Sequence, residues 1–155
     1  ERGGMSVLHE LDELLCGDED DYARLDLFHE ADELIGQLQP GEVPALLVLW
    51  QRRGAGWQQR FTQASSSIDG AVLRALLAGL LRLGDTVHGI CALMTRLPAT
   101  ADSSPLSDAL LDYAQRAWQA NPARQRQIQM SCWSCGLSGR LLKRLGLASW
   151  KEAGL

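Results

Sequence analysis

Leucine dominates this chain: 28 leucines stand against nine valines and isoleucines together. Leucine loses little rotamer freedom on a helix, whereas a pleated sheet is best filled by β-branched side chains. The imbalance predicts helices and argues against a sheet. The leucines also fall at helical spacing. Val7, Leu8, Leu11, Leu14 and Leu15 form one face of a helix over residues 6–16, closed by Gly17. An acidic turn over 18–21 suits the start of the next helix, since negative charge complements the dipole there. That helix is expected over 22–38, with Leu25, Phe28, Ala31, Leu34, Ile35 and Leu38 on one stripe and a stop at Pro40 and Gly41.

Further helices are expected over 43–51 and 57–63, and over 71–83 with Asp69 as N-cap, the last apolar on most sides and so deeply buried. Another runs over 87–97 and ends at Pro98. Ser104 with Pro105 gives a cap and a first-turn proline, and Asn121 with Pro122 repeats that signal for a helix over 123–135. A short helix over 140–145 follows. The expected fold is all-α: about eight or nine short helices, antiparallel because their connections are short. Glu1 to Gly4 precede Met5 and read as an added remnant, leaving residues 5–155 as a single helical domain. At 155 residues the chain can bury roughly 68–70% of its unfolded surface, enough for a core without disulfide staples. With no export signal at the N-terminus, the four cysteines read as free thiols in the cytoplasm. No apolar run is long enough for a membrane span.

Val43, Leu46 and Leu49 align with Val87, Ile90 and Leu93 at an offset of 44 residues. A repeat of this length, with a turn, Pro-Gly and the run VPALLVLW, resembles the second helix of a HEAT-type unit over roughly residues 30–97. The resemblance implies a helical solenoid; an irregular helical bundle accommodates the same residues.

Charge is divided along the chain. Residues 1–43 carry thirteen acids and two bases, a net charge of −11; residues 44–155 carry six acids and thirteen bases, +7, which sum to −4. Like charge gathered at one end produces a field that steers partners. Small size, HEAT-like helices, an acidic end and no catalytic signature resemble the character of bacterial immunity proteins that neutralise a cognate toxin. Such proteins commonly mask a basic active site with acids. The resemblance implies a basic protein partner contacted through Asp18, Glu19, Asp20, Asp21, Asp26, Glu30 and Glu33. Trp57, between Gly56 and Gln58, is expected to be partly exposed at that surface, since Trp is enriched at binding hot spots.

Two stretches echo one another: His9-Glu10-Leu11-Asp12-Glu13-Leu14 and His29-Glu30-Ala31-Asp32-Glu33-Leu34. Paired on two helices they could hold a metal; a solvated acidic face is the plainer reading. His88-x-x-Cys91 and Cys132-x-x-Cys135 have zinc-like spacing, although they lie in apolar helical stretches rather than tight turns, and no cofactor is expected. The stretch CWSCGLSGRLLKRL resembles the core of a helix-turn-helix, with Gly136 in the turn. It would direct Arg140, Lys143 and Arg144 toward DNA, as an alternative function against which the acidic N-terminal third weighs. There is no phosphate-binding glycine loop, no Gly-x-Ser-x-Gly elbow and no His-Glu-x-x-His, so no enzyme is expected.

Overall fold

The computed structural model describes residues 6–17, 19–24, 26–84, 87–99 and 104–155. Among these residues every regular element is helical: α1 (Val7–Leu15), α2 (Glu19–Arg24), α3 (Phe28–Gly36), α4 (Val43–Arg52), α5 (Ala55–Gln63), α6 (Gly70–Leu83), α7 (Val87–Met94), α8 (Pro105–Ala120), α9 (Gln125–Ser134) and α10 (Ser138–Arg144). Three single 3-10 turns accompany them, at Pro40–Glu42, Pro122–Arg124 and Trp150–Ala153. The all-α expectation holds, and no helix among the described residues is long and apolar enough to cross a membrane. The chain divides into two compact units, residues 1–76 and 77–155.

Local chemistry explains most boundaries. Ser6 caps α1 by accepting the His9 N–H, and Asp69 caps α6 by accepting the Ala71 and Val72 N–H groups. Ser104 and Pro105 open α8 as expected, the Ser104 hydroxyl accepting the Ser107 N–H. Three expectations fail. The helix read over 22–38 is two helices, because Asp26 adopts a left-handed conformation with φ of 53°. Leu27 N–H then bonds to Tyr22 C=O and Asp26 N–H to Ala23 C=O, a Schellman closure that ends α2; aspartate tolerates this region better than most residues. Asn121 does not cap the helix that follows it: its side-chain amide donates back to Ala117 C=O and closes α8. And α7 stops at Met94, with residues 95–97 in a turn.

The 44-residue offset holds for one helix in each unit, since Val43 and Val87 are the first residues of α4 and α7. The next helices begin at Ala55 and Pro105, twelve and eighteen residues later, so the correspondence stops there. The all-helical architecture is compatible with a helical repeat.

In the first unit the core gathers Leu8, Leu11 and Leu15 of α1, Ala31, Leu34 and Ile35 of α3, Leu46 and Trp50 of α4, and Trp57 and Phe61 of α5. Trp57 stacks on Phe61 at 5.7 Å, and Trp50 meets both edge-on. One half-buried polar knot ties α1 to this cluster. Asp12 accepts Nε and Nη2 of Arg53 at 3.0 and 2.7 Å and the indole N–H of Trp57 at 3.1 Å. Arg60 donates twice to Leu15 C=O, satisfying an orphan carbonyl at the end of α1. Burial pushes the Asp12 carboxyl up, but the Arg53 bonds and charge, with the Cys16 and Trp57 bonds, outweigh it and hold it below its ordinary range.

The second unit packs α7, α8, α9 and α10 around Ile90, Leu93, Leu110, Leu111, Ile128, Cys132 and Leu141. α9 ends in a Schellman closure at Gly136, whose φ of 81° suits glycine, with Leu137 N–H bonding to Cys132 C=O. Each unit also uses a glutamine to close a helix from the next one: Gln58 donates to Trp50 C=O and Gln125 to Trp118 C=O.

Replacing Asp12 with Ala should destabilise the protein by about 1–3 kcal/mol in urea unfolding, because it leaves the buried indole N–H of Trp57 without its acceptor. With the folded-state carboxyl held low, the contribution is present above the unfolded value near 4 and is lost as pH falls through the lower folded value. The variant should therefore lose part of the wild type's acid sensitivity below about pH 4. Tyr22, whose buried hydroxyl has no hydrogen-bond partner among the described residues, behaves in the opposite sense. Tyr22→Phe should leave stability unchanged or raise it by up to about 1 kcal/mol in the same assay.

Candidate functional site

The two echoing stretches resolve into a groove. In each, the aspartate is engaged within the fold while the two glutamates line a shared opening. Asp12 holds Arg53 and Trp57; Asp32 accepts the Ser66 and Ser67 hydroxyls and the Ser67 N–H, pinning that loop to α3. Glutamates three residues apart share a helix face, so Glu10 and Glu13 on α1 meet Glu30 and Glu33 on α3 across a common opening of about 470 Å³. Leu14, Leu27 and Leu34 give it an apolar floor, and Gly17 and Gln37 complete the lining. No basic side chain lines it among the described residues. The histidines stand aside on the exposed surface: His9 Nε2 lies 3.3 Å from Glu13, and His29 Nε2 3.6 Å from Asp26.

Of the acids predicted as contacts, Glu30 and Glu33 line this groove. Glu10 and Glu13 join them; the sequence marked these two only as part of an acidic helix face, because spacing alone does not say what the neighbouring helix offers. Asp20 and Asp26 are exposed but do not line the groove. Asp18 and the side chains of Glu19 and Asp21 lie outside the described residues. Trp57 is a correction: it is 3% exposed and belongs to the core of the first unit, where Asp12 satisfies its indole N–H. Of the polar neighbours that made it look accessible, Gln59 is exposed, whereas Gln58 donates to Trp50 C=O beside the buried Trp57 ring.

The zinc-like set is not assembled. Cys91, Cys132 and Cys135 are buried, whereas His88 is exposed and its Nδ1 is hydrogen-bonded to Gln127. No group of three or more His, Cys, Asp or Glu among the described residues is placed to hold a metal ion. Burial pushes the Cys91 and Cys132 thiols up and Cys135 up to about 11, so these groups remain protonated and inert at neutral pH.

The α9–α10 hairpin forms with Gly136 in its turn, as the helix-turn-helix resemblance expected. Its arginines are differently employed. Arg140 bonds to Asp108 at 2.6 Å and Arg144 to Asp112, so two guanidiniums one turn apart on α10 bind two carboxylates one turn apart on α8. Lys143 is exposed.

Comparison with protein-family models, curated proteins and solved structures gave no match. The reading of this site therefore rests on its own geometry.

Alkylation of the native protein by iodoacetamide, read by peptide mass spectrometry, should modify exposed Cys16 while leaving Cys91, Cys132 and Cys135 protected until the protein is denatured. Modification of Cys132 at the rate of Cys16 would contradict this burial.

Proposed function

We propose that the chain is a non-enzymatic interaction module that takes a basic segment of a partner protein into the groove between α1 and α3. One observation carries this reading: four carboxylates from two helices surround a leucine floor with no basic residue among the described lining. That combination suits a segment with spaced Lys or Arg and an apolar anchor, the charges steering encounter and the anchor supplying burial. The surrounding first 43 residues, with their net charge of −11, reinforce the steering over longer range. A finer form of the proposal is neutralisation of a toxin with a basic active site, in the manner of bacterial immunity proteins. The acid-for-base complementarity supports it, and the partner's identity would decide it.

DNA binding through α9 and α10 is the second reading, favoured by the Gly136 turn between the two helices. It has less support, because Arg140 and Arg144 already face carboxylates of α8.

The test compares two baits in nuclease-treated host lysate: the wild type and a variant with Glu10, Glu13, Glu30 and Glu33 all changed to Gln. A stoichiometric basic protein should be recovered by the wild type and lost by a variant that melts normally. With that protein purified, association at low salt should slow by about tenfold or more and lose most of its salt dependence in the variant. Equal recovery by both baits overturns the groove assignment.

A further inference from the structure

We infer that a second opening, in the second unit, binds a small tetrahedral oxyanion: phosphate or a phosphate monoester. It measures about 550 Å³ and lies between the last turn of α6, the first turn of α7 and the C-terminal end of α8. Its polar lining is cationic or neutral: His88, Tyr113, Arg116, Asn121 and Arg124, with no acidic side chain among the described residues. Arg116 and Arg124 make no ion pair with any described carboxylate, in contrast to Arg140 and Arg144 of the same unit. Arg116 and Arg124 both line this opening, so an anion held there meets two guanidinium groups.

The donors are also oriented. Arg124 Nη1 donates to Gln127 Oε1 at 3.3 Å, and since arginine can only donate, this fixes which end of the carboxamide faces it. Gln127 Nε2 therefore donates to His88 Nδ1, 3.0 Å away, and neutral His88 carries its proton on Nε2, where it can donate in turn. Gln127 thus ties two donors from different elements into one arrangement before any ligand arrives. The α8 C-terminus, whose carbonyls would oppose an anion, is muted: Ala117 C=O accepts the Asn121 backbone and side-chain N–H groups, and Trp118 C=O accepts Gln125. Val87 and His88, the first residues of α7, line the opening. Leu81, Val87 and Ala117 supply an apolar wall that would contact the organic part of an ester.

The full chain should be titrated with inorganic phosphate, phenyl phosphate and, at matched ionic strength, chloride, following His88 imidazole and Asn121 amide signals by NMR. Saturable shifts with phosphate and not with chloride are expected; tighter binding of phenyl phosphate would identify the ester as the ligand class, and equal binding the free ion. Arg116→Gln with Arg124→Gln should weaken binding by about tenfold or more, and Gln127→Leu should weaken it by a smaller factor. Arg126→Gln, on the exposed part of α9 outside the pocket, should change nothing. Shifts that chloride reproduces, or that survive in the double arginine variant, overturn the site. Should that variant unfold, the wild-type His88 response to phosphate against chloride decides alone.

Discussion

The first unit depends on a half-buried carboxylate placed where a leucine might be expected. Asp12 sits in the middle of the apolar stripe of α1 and receives three donors from α4–α5, two from Arg53 and one from Trp57. A carboxylate in such a place is stabilising only if its bonds are made, and a partly satisfied one costs more than an apolar residue would. The geometry satisfies that demand from several sides, and in doing so fixes the rotation of α1 about its axis. That rotation decides what else α1 presents. With Asp12 turned toward α5, Glu10 and Glu13 are turned toward α3, and Leu14 becomes floor rather than core. The acidic groove is in this sense a consequence of the aspartate between its glutamates.

The same logic repeats in α3, where Asp32 is fastened to the loop carrying Ser66 and Ser67 and the flanking glutamates are released to the groove. The resemblance between the two stretches was visible in the sequence; its meaning was not. Helical periodicity places Glu10 with Glu13 and Glu30 with Glu33, because side chains three apart share a face whatever the tertiary structure. It does not say that the aspartates would find partners forty-one and thirty-five residues away, which depends on which helices pack together. Helix class and most caps were legible because they are local: Ser6, Asp69 and Ser104 act on N–H groups within three residues. Trp57 was misread for the complementary reason. Its glycine and glutamine neighbours describe its surroundings in the chain, and burial is set by its surroundings in space, here Trp50, Phe61 and Asp12.

The segregation of charge along the sequence takes a more specific form in the folded chain. A run of net −11 would strain any compact unit through self-repulsion, and the first unit answers by engaging Asp12 with Arg53 and turning other acids outward. The second unit carries a basic excess, and α8 absorbs part of it by pairing Asp108 and Asp112 with Arg140 and Arg144. These pairs are partly exposed, each worth at most about 1 kcal/mol, so their chief effect is to orient α10 on α8. The two openings differ in sign: glutamates line one groove, and Arg116, Arg124 and His88 line one pocket.

Net charge by segment therefore points to the sign of a partner but not to its place. Among the C-terminal bases, the sequence directs attention to Arg140, Lys143 and Arg144, because they cluster on one short helix beside a glycine turn. The fold engages two of these and places two other arginines at a pocket, one late in α8 and one in the 3-10 turn after it. A cation whose carboxylate is already supplied by the fold has little left to offer a ligand, since binding must first break a formed pair. A cation facing others of its sign, with a neutral amide holding one of them in position, is a better guide to a ligand than one that belongs to a basic run.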